Sequence, residues 1–147
     1  MTRVLLASLV AAGVALTSGA CGLFATPAVA MVSGRDDHGL LERPAIGLQR
    51  SPTDATVVAT AHDGEFALVL ERSGPFARVR LVLSGEEGWI ADHDLRGEAV
   101  RVGPPPRRVT FVAAERSDGD VRVRVRYADD KTEEWVPAST LNEVGAR

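Results

Sequence analysis

The side chains able to do chemistry in this 147-residue chain are few, and aromatic rings and arginines dominate them. Two tryptophans, Trp89 and Trp135, stand with Phe66, Phe76, Tyr127 and Arg50 as the candidates for contact with a ligand. Arg122, Arg124 and Arg126 alternate along one segment. They could grip an anionic polymer of the cell envelope through charge-assisted bonds. The favoured expectation is that they keep a sheet face wet and pair with Glu133, Glu134 or Asp129. Either indole could instead serve packing, because a ring buries a large apolar area, and packing is the favoured job for both.

Asp92-His93-Asp94 and His62-Asp63 carry ligand types that a metal accepts, but zinc needs three or four converging ligands. These residues read as turn residues, and no metal or other cofactor is expected. No Gly-x-Ser-x-Gly elbow is present to start a serine triad. The single cysteine, Cys21, excludes a disulfide framework. No catalytic residue is nominated, and the chain reads as a non-enzyme. With 17 Lys and Arg against 20 Asp and Glu, the net charge of -3 argues against a nucleic-acid partner.

The elements that must position these residues are written twice. Arg78-Val79-Arg80-Leu81, Glu87, Trp89, Ile90 and Leu95 recur as Arg124-Val125-Arg126-Tyr127, Glu133, Trp135, Val136 and Leu141, 46 residues later and without a gap. Self-similarity at one period marks a repeated supersecondary unit. Within each unit, short alternating runs are punctuated by Gly, Pro and Asp turns, which predicts an all-β protein. The strands expected are Val57–Ala61, Phe66–Glu71, Phe76–Leu83 and Trp89–Ala91, then Val109–Glu115, Val121–Tyr127 and Glu133–Pro137. A single 3₁₀ turn is expected at Asp92–Leu95. Val121, Val123, Val125 and Tyr127 should point inward.

Ahead of these units, Arg3 is followed by an apolar run of ~13 residues and then small residues, the layout of a signal peptide. The run is shorter than the roughly 20 residues a spanning helix needs. Ala28-Val29-Ala30 offers a small-x-small cleavage site, giving a signal peptide over 1–30. The alternative is a degenerate lipobox at Thr17-Ser18-Gly19-Ala20-Cys21, with a signal over 1–20 and Cys21 lipidated, the one route to the membrane. The chain is thus expected to be exported, periplasmic or extracellular. Residues 31–43 read as a linker, 44–97 and 98–142 as the two units, and 143–147 as a fraying tail.

Over residues 45–95 the order of features resembles the bacterial SH3 (SH3b) family. The resemblance rests on Leu48-Gln49-Arg50-Ser51-Pro52, on the strand before Asp63-Gly64, on Phe76-Ala77-Arg78-Val79 and on Gly88-Trp89-Ile90 with Leu95. Phe76 stands where such domains usually carry Trp or Tyr. The second unit is similar to a divergent SH3-like or Tudor-like barrel, carried by Glu133-Glu134-Trp135-Val136-Pro137 and Leu141. It lacks a counterpart of Leu48–Pro52 and is expected to borrow a strand edge from the first unit. The resemblance implies two small SH3-like β-barrels in tandem and a non-catalytic module that recognises a peptidoglycan peptide or an envelope-protein segment. It would bind in a groove among the loops Arg50–Thr53, Arg72–Pro75 and Ser84–Gly88. The alternative is a structural or assembly protein whose barrels make protein–protein contacts.

Overall fold

The computed structural model describes residues 27–145 as twelve strands in two antiparallel sheets. The first sheet holds β1 (Ala28–Val32), β2 (Ala45–Ser51), β3 (Asp54–His62), β4 (Phe66–Ser73), β5 (Phe76–Leu81), β6 (Glu87–Ala91) and β7 (Leu95–Arg96). It runs in the order β3-β2-β6-β5-β4-β1-β7 and curls on itself. The second holds β8 (Glu98–Arg101), β9 (Arg107–Ser117), β10 (Asp120–Tyr127), β11 (Glu133–Pro137) and β12 (Leu141–Glu143), in the order β11-β10-β9-β8-β12. The fold is all-β, as the alternation predicts.

The 46-residue repeat holds down to single cross-strand pairs. Arg78 faces Trp89 and Arg80 faces Glu87 between β5 and β6; Arg124 faces Trp135 and Arg126 faces Glu133 between β10 and β11. After each closing strand comes a 3₁₀ turn, at Asp92–Asp94 and at Ala138–Thr140, and then a short last strand. In each unit that last strand pairs with the unit's first strand: β7 with β1, and β12 with β8.

This pairing makes β1 the counterpart of β8 and corrects the expected boundaries. Residues 31–43 were expected to be a linker, yet Met31 and Val32 lie within β1 and are buried, and Ser33 is buried beside them. The loop that follows is pinned. Gly34 accepts hydrogen bonds from the Glu42 and Arg43 amides at 3.0 and 2.9 Å and donates to Asp63 Oδ1 at 2.9 Å. A Cβ on Gly34 would lie 1.7 Å from the Arg43 carbonyl oxygen, so only glycine permits this approach. The cleavage point expected after Ala30 falls inside β1, which pairs with β4 from Ala28↔Val69 to Met31↔Phe66. The first unit therefore begins at Ala28 rather than at Pro44. The other processing candidate, Cys21, and the apolar run before it lie outside the described residues. At the other end, Glu143 belongs to β12 and not to a tail.

Two cores hold the sheets together, and β1 serves both. Ala30 and Val32 point into the first core with Leu48, Val79, Leu81 and Ile90. Val29 and Met31 point the other way, into a core with Val109, Val123, Val125, Tyr127 and Val136. The next strand repeats the split, with Ala67 and Val69 in the first core and Phe66 in the second. Successive side chains of a strand face opposite sides, so a strand buried on both faces reads as an unbroken apolar run. The β1–β4 pair is thus a party wall. The second unit borrows the face of this wall, more than the strand edge expected of it.

Polar groups reinforce the joint. Ser33 Oγ donates to the Glu143 carboxylate, 2.8 and 2.7 Å from its two oxygens. Arg96 Nε donates to Glu143 at 3.1 Å, and Arg35 bridges Asp63 at 3.2 Å and Glu143 at 3.7 Å. The Glu143 side chain is only 9% exposed. A buried carboxylate is tolerable here because charged and hydroxyl donors surround it.

Candidate functional site

The aromatic groove lies on the outer face of the first sheet. Along β6, Gly88 and Ile90 are buried while Trp89 and Ala91 are partly exposed, so the pleat presents Trp89 outward. Phe76 opens β5 opposite Ala91, two residues from Arg78, which is opposite Trp89, and this spacing puts both rings on one face. The β2–β3 hairpin meets β6 through a single pair, Gln49↔Trp89, and curls over that face. On the opposite, buried face Gly88 lets β2 pack closely against β6, since a Cβ there would lie 2.5 Å from Leu48 Cβ. The result is an open groove of about 450 Å³ lined by Arg43, Ile46, Gln49, Val57, Phe76 and Trp89, among others.

One wall of the groove is electrostatically fixed. Arg43 makes a two-pronged ion pair with Asp94, at 2.5 and 3.2 Å, and the Asp94 side chain is almost fully buried. Fork-to-fork geometry of this kind is strong and directional. The hydrogen bond that Arg43 donates to the Asp94 carboxylate raises the guanidinium above its usual basicity. His93 Nε2 stands 3.3 Å from Asp94 Oδ1 at the exposed rim. The groove is therefore apolar and aromatic on its floor and tied up in ion pairs at one end.

Of the six residues nominated as ligand contacts, the structure brings Phe76 and Trp89 together and separates the rest. Phe66 is 2% exposed and meets the Phe111 ring edge-on at 5.1 Å, inside the second core. Its direction is set by the pleat of β4, whose next residue, Ala67, enters the first core. Tyr127 is also 2% exposed. Its hydroxyl donates to Glu134 at 2.7 Å and accepts from Arg101, while Arg107 stacks 3.7 Å from the ring centre. Burial, then the Glu134 bond, raise the Tyr127 pKa, and that same bond lowers the Glu134 pKa. Tyr127 is a core anchor and offers no surface to a ligand.

Arg50 is exposed on the turn side of β2, 3.7 Å from Asp54, and does not line the groove. The loops Arg72–Pro75 and Ser84–Gly88 do not line it either; strand residues of the β2–β3 hairpin and of β6 take their place. Arg43, Gln49 and Val57 were missed by sequence reasoning. Gln49 carried a usable signal, because Ile46 and Leu48 are buried and the next residue of the alternation must face out.

Trp135 has a different setting from Trp89. Arg122 and Arg124 lie 6.0 and 5.8 Å from its ring centre. Arg126 forms the expected ion pair with Glu133 at 3.2 Å. Glu134 and Asp129 turn instead to Arg101 and Arg107. Arg122 and Arg124 therefore have no carboxylate within ion-pair distance among the described residues.

Among the described residues no three His, Cys, Asp or Glu side chains converge on a common point that could hold a metal. No helix there is long and apolar enough to cross a membrane. No family model matches the chain, and no curated protein matches it. A solved structure of NlpC1 from Trichomonas vaginalis aligns with 81% of this chain at 14% identity and a TM-score of 0.41. The chain spans 46% of that protein's length.

Proposed function

We propose that this chain is an exported, non-catalytic binding module of the SH3b type. Its ligand would be an envelope segment, either the peptide of peptidoglycan or a stretch of an envelope protein. The observation that carries this reading is the pairing of Phe76 with Trp89 in one open groove of about 450 Å³. Ligand sites of this class are concave, mostly apolar and furnished with a few polar groups, and their usual volumes span the same range. Gln49 supplies an amide and Arg43 a fixed guanidinium at the edge of the aromatic floor. With Asp94 committed to Arg43, the titratable groups at the rim serve shape and charge, which suits binding over catalysis.

Calorimetric titration of the chain with purified muropeptides, alongside co-sedimentation with sacculi, tests the reading. Heat release and sedimentation that both vanish in Trp89→Ala are the expected result. Absence of either in the unsubstituted chain removes the peptidoglycan reading.

The assembly reading draws on a separate observation. β3 forms one outer edge of its sheet, with Val57 and Val58 59% and 46% exposed and no charged residue from Ala55 to Ala61. Open edges of this kind accept a further strand, although the bulge between Ala59 and Val57 against β2 shortens the regular part. A stable complex lost on Val57→Lys, with no sacculus binding, favours assembly.

A further inference from the structure

The repeat supplies its own control for what the second unit's outer face can do. In the first unit Arg78 lies between Glu71 and Trp89 in register, and its guanidinium is taken by Glu71 at 3.5 Å and Glu87 at 3.2 Å. In the second unit Arg124 lies between Ala113 and Trp135, so the facing acid is replaced by alanine. Phe76 corresponds to Arg122, which adds a second cation beside the same indole. Glu133 is occupied by Arg126. The Arg124 Nε–H is buried without a hydrogen-bond acceptor. The second unit therefore keeps the cation and the ring and lacks the neutralising partner.

We propose that Arg122, Trp135 and Arg124 form a binding surface for an acidic glycan, one whose sugar rings carry carboxylates. The exposed part of the indole gives a flat apolar platform for the weakly polar face of a sugar ring. The flanking guanidiniums take carboxylates in the two-pronged geometry that arginine favours. Glu115 faces Arg122 in register without an ion pair, and Asp118 and Asp120 edge the turn beside it. These acids confine the anion to the span between Arg122 and Arg124. The chain carries a net charge of -3, so an acidic polymer is attracted only at this local patch, and the attraction weakens with salt. The site is distinct from the aromatic groove and does not depend on what that groove binds.

Because the chain has only two tryptophans, each face has its own optical reporter. In the full chain carrying Trp89→Phe, titration with polygalacturonate should change Trp135 emission, and neutral dextran should not. Arg122→Gln combined with Arg124→Gln should weaken that response by about tenfold or more, as expected for removing charge-assisted contacts. Arg50→Gln on the first unit should leave it unchanged. A circular-dichroism melt of each variant separates lost binding from lost fold, and Arg122→Gln alone, at an exposed position, keeps the test open if the double variant is unstable. An unresponsive Trp135, or a response equal for inorganic polyphosphate or indifferent to both arginine substitutions, overturns the proposal.

Discussion

The two units share a period and a register but have spent their outer faces differently. In the first, Phe76 and Trp89 line a groove under the β2–β3 hairpin, and the nearby arginines are neutralised by Glu71 and Glu87. In the second there is no hairpin between its first two strands, only Val102–Pro106, and the face around Trp135 holds the guanidiniums of Arg122 and Arg124 without an ion-pair partner among the described residues. Inside, the order is reversed. The first core is aliphatic, whereas the second contains Phe66, Phe111 and Tyr127 and draws Val29, Met31 and Phe66 from the first unit. The lesson is that a shared backbone plan fixes where an indole sits and leaves its chemistry to the cross-strand neighbours.

The strongest way to break the comparison is to remove what the units share. A chain starting at Met31 lacks Val29 and Ala30, and with them most of the β1–β4 pairing. Burial of Val29 alone contributes about 1.5–3 kcal/mol, and the lost pairing adds to it. Against a total of about 5–15 kcal/mol for a small domain, both units should melt together and at lower temperature. A two-step melt, or an unchanged one, would show that the units stand independently.

Substitutions at matched core positions sharpen the contrast. Leu81 and Tyr127 are repeat equivalents. Leu81→Ala should cost about 2–5 kcal/mol through a cavity in the aliphatic core. Tyr127→Phe should cost about 1.5–3 kcal/mol, because it strips a hydrogen bond from the charged Glu134. Urea denaturation of both variants gives the two values. Ser33→Ala, at the joint, should cost about 1–2 kcal/mol by leaving Glu143 short of a donor.

The smallest effect is expected in acid. The Arg107 hydrogen bond holds the Asp129 carboxyl down at about 2, from an ordinary 3.8. A depressed carboxylate stabilises the fold above its unfolded pKa and loses that contribution as pH falls through the folded one. The exposed Arg107–Asp129 pair should therefore help at pH 5 and fade between pH 3.8 and about 2. Asp129→Asn should flatten the melting temperature over that window and change little in strong acid.

Much of this was legible from the residues. Alternation and turn residues located β3 to β6 and β9 to β11, whereas the short strands β7, β8 and β12 were not foreseen; Val123, Val125 and Tyr127 point inward as alternation requires. The first strand was hidden for a physical reason. A small, apolar, extended segment such as Ala28-Val29-Ala30 satisfies a peptidase and a buried β-strand equally well. Phe66 was nominated as a ligand contact because a ring's position in a strand does not say which face meets a second sheet; Tyr127 was nominated although alternation already turned it inward. That information resides in contacts such as Ser33 with Glu143, 110 positions apart, for which no local spacing gives a cue.

The party wall has a consequence for how such a molecule changes over time. A duplicated segment can ordinarily be copied, swapped or trimmed as a cassette. Here the amino-terminal ribbon is common property, so neither half is portable and each constrains the other's sequence. Any descendant must retain that ribbon or invent a substitute for it in two places at once.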